Sequence, residues 1–167
     1  MITLTDVYAH DGLVPGPTAR LLYNLMRERN PEINISHKKL PTYAEHVAYC
    51  NKHPYRYWYL IERLLPGGRG ENETVGTISA THSNEIGIVL FQRARHLGIG
   101  SLAINRFMAT HHPVDGVPGL VNGEWLANIA PTNTHSQHVF GKLGFRKIQE
   151  TYARPHPTEE TRHHDET

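Results

Sequence analysis

Cysteine is almost absent from this chain of 167 residues. Cys50 stands alone, so no intrachain disulfide can form and the fold must be held by burial of apolar surface. Long apolar runs are also missing. No stretch approaches the ~20 residues that a membrane-spanning helix requires, which argues against a membrane protein. Charge of one sign is scarce: 17 Lys and Arg stand against 16 Asp and Glu, for a net charge of +1. Such a balance supplies no broad basic face for a long polyanion, and duplex nucleic acid is disfavoured as a partner. Met1 to Asp6 carries neither the basic region nor the apolar core of a secretory signal, so the expected compartment is the cytoplasm.

With 38% hydrophobic and 20% charged residues, the composition is that of a water-soluble globular protein with one core. A single domain is expected over residues 1–153. Residues 154–167, with Pro155, Pro157 and His163-His164 but no periodicity, are expected to be a disordered tail.

A strand is expected from Ile2 to Tyr8. A helix follows, with Ala19, Leu21, Leu22, Leu25 and Met26 at helical spacing, and it ends at Asn30-Pro31. Thr42 followed by Glu45 is a capping box that starts a second helix, expected to run to Lys52. Tyr55 to Leu65 and Glu73 to Thr81 read as strands around a hairpin loop at Pro66 to Asn72, and Glu85 to Leu90 as a third. Beyond them the pattern predicts a helix from Gly98 to Thr110, a short strand at Trp125–Ile129, a helix at Thr134–Leu143 and a last strand at Phe145–Tyr152. The order predicts an α+β or α/β fold with a mixed sheet.

The chemically suggestive segment is Arg95-His96-Leu97-Gly98-Ile99-Gly100, between a strand and a helix. Two glycines let backbone approach a ligand closely. The first turn of a helix leaves N–H donors unpaired at the positive end of its dipole, which suits a pyrophosphate. By itself, a glycine pair before a helix can equally be a tight turn. The dinucleotide-binding and Walker patterns are both incomplete here.

Together with Glu85–Leu90, Trp125–Ile129 and the run Asn133-x-x-Ser136-x-x-x-Phe140-x-Lys142-Leu143-Gly144-Phe145, this turn resembles the GNAT superfamily of acyl-CoA-dependent N-acyltransferases. The likeness spans Tyr55 to Tyr152. It implies a three-layer α+β fold, a mixed and mostly antiparallel sheet flanked by helices with a splayed pair of central strands, and acetyl-CoA as cosubstrate with no metal. The pyrophosphate would lie on the backbone of His96, Leu97, Gly98, Ile99, Gly100 and Ser101, flanked by Arg95. The pantetheine arm would pair with the strand at Ile88 and Leu90, with Asn128, Asn133, Ser136 and Phe140 along the cleft.

Direct transfer to an amine requires a base to take one proton and, commonly, an acid for the leaving thiolate. Glu85 stands where many members of the family place the base; the alternative is a solvated turn glutamate. Where the family often has a tyrosine acid this chain has Phe140, which cannot donate, so the role is either unfilled or passes to Ser136 or to water. Thirteen histidines invite a metal reading, but no His-Glu-x-x-His or cysteine frame supports it.

The implied function is acetylation of a primary amine on a small molecule, with an amino-sugar nucleotide suggested by His37, Lys38, Lys39 and Arg56 beside the aromatic Tyr55–Tyr59 strand. The alternatives are an amine on a modified nucleobase of phage DNA, a peptide or protein amine, and a non-catalytic acyl-CoA-binding regulator. A homodimer is compatible with all of these.

Overall fold

The computed structural model describes residues 1–30, 39–65, 71–117 and 123–152. His37, Lys38, most of the 66–72 hairpin loop and the tail from 154 lie outside the described residues. The elements are β1 (Ile2–Asp6), α1 (Gly16–Arg27), α2 (Tyr43–Cys50), β2 (Tyr57–Leu64), β3 (Asn72–Ala80), β4 (Ile86–Leu90), α3 (Ile99–Thr110) and α4 (Thr134–Lys142). The four strands form one antiparallel sheet in sequence order.

The twofold side-chain period of β2 sorts the sheet into two faces. Tyr57, Tyr59 and Ile61 turn to one side and pack with Val75, Ile78, Ala80 and Ile86 against α3 and α4. The inner stripe of α3 is Ile99, Ala103, Ile104 and Phe107. Trp58 and Leu60 turn to the other side, against Ala19 and Leu22 of α1 and Cys50 of α2. The result is an α–β–α sandwich, as the family resemblance implies.

The capping box of α2 forms as expected. The Thr42 hydroxyl accepts from the Glu45 amide, and the Glu45 carboxylate accepts from the Thr42 amide at 2.7 Å. The Thr42 amide and hydroxyl, both donating to it, hold the Glu45 carboxyl below the usual carboxylate range.

The last two expected strands do not form. Trp125–Ile129 contributes a single parallel bridge, Leu126 with Glu85. Residues 145–152 belong to no strand, with Ile148 half exposed and Tyr152 almost wholly exposed. Alternating branched and aromatic residues make a strand only where an edge and an apolar face receive them; Phe145 packs against the core, but among the described residues no strand edge pairs with this segment.

Gly76 is sterically obligatory. The β2–β3 register passes from Ile61 opposite Gly76 to Glu62 opposite Thr74, so Val75 is an extra residue and the strand bulges. A Cβ on Gly76 would stand 2.3 Å from the carbonyl oxygen of Val89 and 3.0 Å from the Cα of Leu90. Backbone must move to admit it. Gly76→Ala is expected to cost about 3 kcal/mol or more, at or above the upper end of the usual overpacking penalty, read as a lower urea midpoint.

His46 is buried between the helices. Its Nε2 lies 3.2 Å from the Ala19 carbonyl oxygen and 3.5 Å from the Cys50 sulfur. Burial lowers the His46 pKa from 6.5 and raises the Cys50 thiol to about 11. The unfolded chain therefore binds a proton at His46 before the folded one does. Stability falls as pH drops from 6.5 toward the lower folded value. The urea midpoint should decline between pH 7 and pH 5.5, and His46→Gln should remove that part of the slope; an unchanged slope would show that His46 protonates equally in both states.

Candidate active site

The turn between β4 and α3 contains two residues in left-handed conformation, His96 (φ 62°) and Gly98 (φ 73°). Glycine adopts that conformation without strain, and a β-branched residue does so rarely. Gly98 is the N-cap of α3, and no side chain caps the helix. No acidic residue occupies its first turn. The amide donors that begin α3 thus face outward together with the positive end of the dipole. A Cβ on Gly98 would meet nothing within 4 Å, so the space above the turn is open. At Gly100 a Cβ would make ordinary contact with Leu90 at 3.8 Å and Ile88 at 3.9 Å, so that position faces β4.

Arg95 braces this turn. Its Nε donates to the Leu90 carbonyl at 3.1 Å and its Nη2 to the Glu28 carbonyl at 3.4 Å. The Glu28 carboxylate in turn accepts from the Gln92 amide at 2.8 Å. The end of α1 and the end of β4 are stapled across the start of the turn.

Beside the turn, β4 has one edge without a strand partner. Thr81 N–H donates to the Glu85 carbonyl and Phe91 N–H to the Val75 carbonyl, both at 3.0 Å, so odd-numbered residues of this stretch bond to β3 and even-numbered ones face away. Ile86 N–H reaches the Leu126 carbonyl at 2.8 Å, and Leu126 N–H reaches the Asn84 carbonyl at 2.9 Å. Past this bridge the two segments diverge, with no further ladder among the described residues. The Ile88 amide and carbonyl and the Leu90 amide are left facing a cleft. An extended ligand with amide groups could pair there as an added strand does.

Glu85 lies at the closed end of the cleft. Its backbone is tied to Thr81, whose Oγ1 accepts from the Glu85 amide at 3.1 Å. Its side chain, partly exposed, falls on the α1/α2 face, opposite to Ile86. Across the cleft, Asn133 caps α4, its Oδ1 accepting from the Ser136 amide at 3.1 Å. Ser136 is thus in the first turn of α4, while Asn128 is exposed on the diverging segment. Phe140 is buried and meets Phe145 edge-to-face at 5.0 Å. Gly144 has φ 88°, Phe145 N–H donates to the Phe140 carbonyl at 3.1 Å, and Gly144 N–H donates to the Gly141 carbonyl at 3.1 Å. This is a complete Schellman motif with its apolar contact, which accounts for the Leu143-Gly144-Phe145 signature as a helix stop. Leu97 and Ser101 flank the turn, Leu97 exposed and Ser101 partly so.

Two arrangements were not legible in the sequence. His135, at the start of α4, sets its ring edge-to-face on His96 at 4.8 Å, joining the two helix starts. Asn84 is fully buried at φ 63° and makes paired bonds with the Val114 backbone, at 2.8 and 2.9 Å, which pin the 111–117 loop beside the cleft. The polar Ser83-Asn84 turn gave only a faint signal of the second: asparagine tolerates left-handed backbone.

Known structures have a similar fold. An acetyltransferase from Thermus thermophilus matches with TM-score 0.58 and 20% identity over 90% of each chain. This chain shares the fold of that acetyltransferase. Spermidine N-acetyltransferase from Vibrio cholerae has TM-score 0.58 and 15% identity, over 89% of this chain and 81% of that one. The microcin C7 self-immunity acetyltransferase, in complex with acetyl-CoA and AMP, has TM-score 0.57 and 18% identity, over 86% and 78%. No family model and no curated protein matches the chain. Among the described residues no helix is long and apolar enough to cross a membrane, and no three His, Cys, Asp or Glu groups are placed to hold a metal.

Proposed function

We propose that this protein is a cytoplasmic N-acetyltransferase that moves an acetyl group from acetyl-CoA to a primary amine of a small, anionic molecule, with an amino-sugar nucleotide as the representative acceptor. The observation that carries the reading is the coincidence of an uncapped α3 start, opened by Gly98, with the unpaired edge of β4 at Ile88 and Leu90. One binds a pyrophosphate and the other an amide-bearing arm, and coenzyme A has both in that order. The fold relatives support it, since the first two are named as acetyltransferases and the third was captured with acetyl-CoA and a nucleotide.

In the proposed mechanism the Glu85 carboxylate accepts a proton from the acceptor ammonium, through water if the two do not touch. The freed nitrogen lone pair attacks the thioester carbonyl. As the tetrahedral intermediate collapses, the C–S bond breaks, the thiolate takes a proton from Ser136 or from solvent, and the nitrogen gives up its second proton to the Ser136 oxygen or to solvent. Phe140 takes no part, because its ring is packed in the core.

The test is release of free coenzyme A thiol from acetyl-CoA in the presence of single amines: an amino-sugar nucleotide panel, spermidine, a lysine peptide and duplex DNA. Amine-dependent release with the acetyl group recovered on a sugar nucleotide supports the reading. Acetylated DNA or peptide would overturn the acceptor class, and binding of acetyl-CoA with no turnover on any amine would overturn the enzyme.

A further inference from the structure

One side of α1 forms a groove with the chain that leaves β4. Arg20, Asn24, Arg27 and Glu28 line one wall, Phe91 and Arg93 the other, around a volume of about 700 Å³. These α1 residues recur at three- and four-residue spacing, so they form one stripe of the helix. Arg20 and Arg27 are two turns apart, about 10 Å along the axis, and their long side chains can converge on one ligand.

The charges are unevenly compensated. Glu28 is the carboxylate in the wall, and it is engaged by the Gln92 amide at 2.8 Å. Arg93 pairs with Glu73 at 2.7 Å, but Glu73 also serves Arg63 at 2.7 Å, so one carboxylate answers two guanidinium groups. Arg20 rests on the Tyr43 ring at 3.7 Å, a contact that leaves its charge uncancelled. Neither Arg20 nor Arg27 makes an ion pair with a described residue. A chain with a net charge of only +1 thus sets Arg20, Arg27 and Arg93 against the carboxylate of Glu28 in one concave place, whose second wall includes the buried Phe91. Cations in a cleft with an apolar wall hold anions more strongly than they would on an open surface.

We propose that this groove is a second anion site, separate from the α3 turn, which takes the phosphate group of a small molecule while coenzyme A is bound. Guanidinium groups are suited to that chemistry, because each presents paired donors to phosphate oxygens. The groove is confined to one helix and one strand end, too short for the row of phosphates on a duplex, and its charge would repel a polyamine. Through Glu28 and Gln92 it adjoins the start of the α3 turn, so an occupant would sit on the α1 side of the site while the coenzyme holds the α3 side. The inference rests on the acetyl-transfer reading only in assigning the α3 turn to the coenzyme.

The experiment is calorimetric titration of inorganic pyrophosphate, and separately of UDP, into the protein saturated with coenzyme A. Coenzyme A binding by the protein alone is measured first, which tests the coenzyme assignment by itself. The proposal expects a further binding event that weakens with salt. Arg20→Gln with Arg27→Gln should weaken it by about tenfold for each lost charged contact, with coenzyme A affinity changed less than twofold. A thermal melt of the double variant within about 2 °C of the parent establishes that it is folded. No pyrophosphate or UDP binding once coenzyme A is saturating, or binding that the double variant leaves intact, would overturn the proposal.

Discussion

Glu85→Gln lowers kcat by about 10²–10⁴ if Glu85 is the base, while the affinity for acetyl-CoA stays within about twofold. Glutamine keeps the size of the side chain and its place at the start of β4 but cannot accept the proton. The fold should not suffer, because the bonds that anchor this position are made by backbone: the Glu85 amide to Thr81 Oγ1 and the Glu85 carbonyl to the Thr81 amide. Because the loss lies in proton removal, it should shrink as the pH rises and more of the acceptor amine is already neutral. A steady-state profile from pH 6 to 10 reads this directly. A drop of less than threefold at every pH would return Glu85 to the role of a solvated turn residue.

The second large effect is expected at Gly98. With φ 73° and open space above it, a side chain here collides with no protein atom. It meets whatever lies on the turn. Gly98→Val forces a β-branched residue into left-handed backbone, where it is a rarity, and projects its methyls over the amides that begin α3. Loss of two charge-assisted bonds to phosphate corresponds to about 10²–10⁴ in affinity for acetyl-CoA. Gly98→Ala separates the two causes, since it keeps a small side chain with less strain and should fall between the parent and the valine variant. Equal calorimetric affinities for parent and valine variant would place the pyrophosphate elsewhere. Gly100 makes a useful contrast, because its Cβ would point at Leu90 and Ile88 in the protein and not at the ligand space.

The sequence alone determined the local features. The Thr42–Glu45 box, the alternation of β2 and β3 and the glycine turn before α3 are set by neighbours within a few residues, and such rules act wherever the segment finds itself. The helix at 134–142 was legible for the same reason, since its start at Asn133 and its stop at Leu143-Gly144-Phe145 are short-range caps. The tertiary structure decided everything that depends on a distant partner. Trp125–Ile129 has the composition of a strand, yet it pairs only at Leu126 because the chain then leaves β4, and that departure creates the cleft. Arg95, expected to flank a pyrophosphate, also donates to the carbonyls of Leu90 and Glu28, contacts that depend on where α1 ends. Asn84, His135 and the stripe of arginines on α1 acquire their roles from contacts with distant parts of the chain, where spacing in sequence carries no information about approach in space.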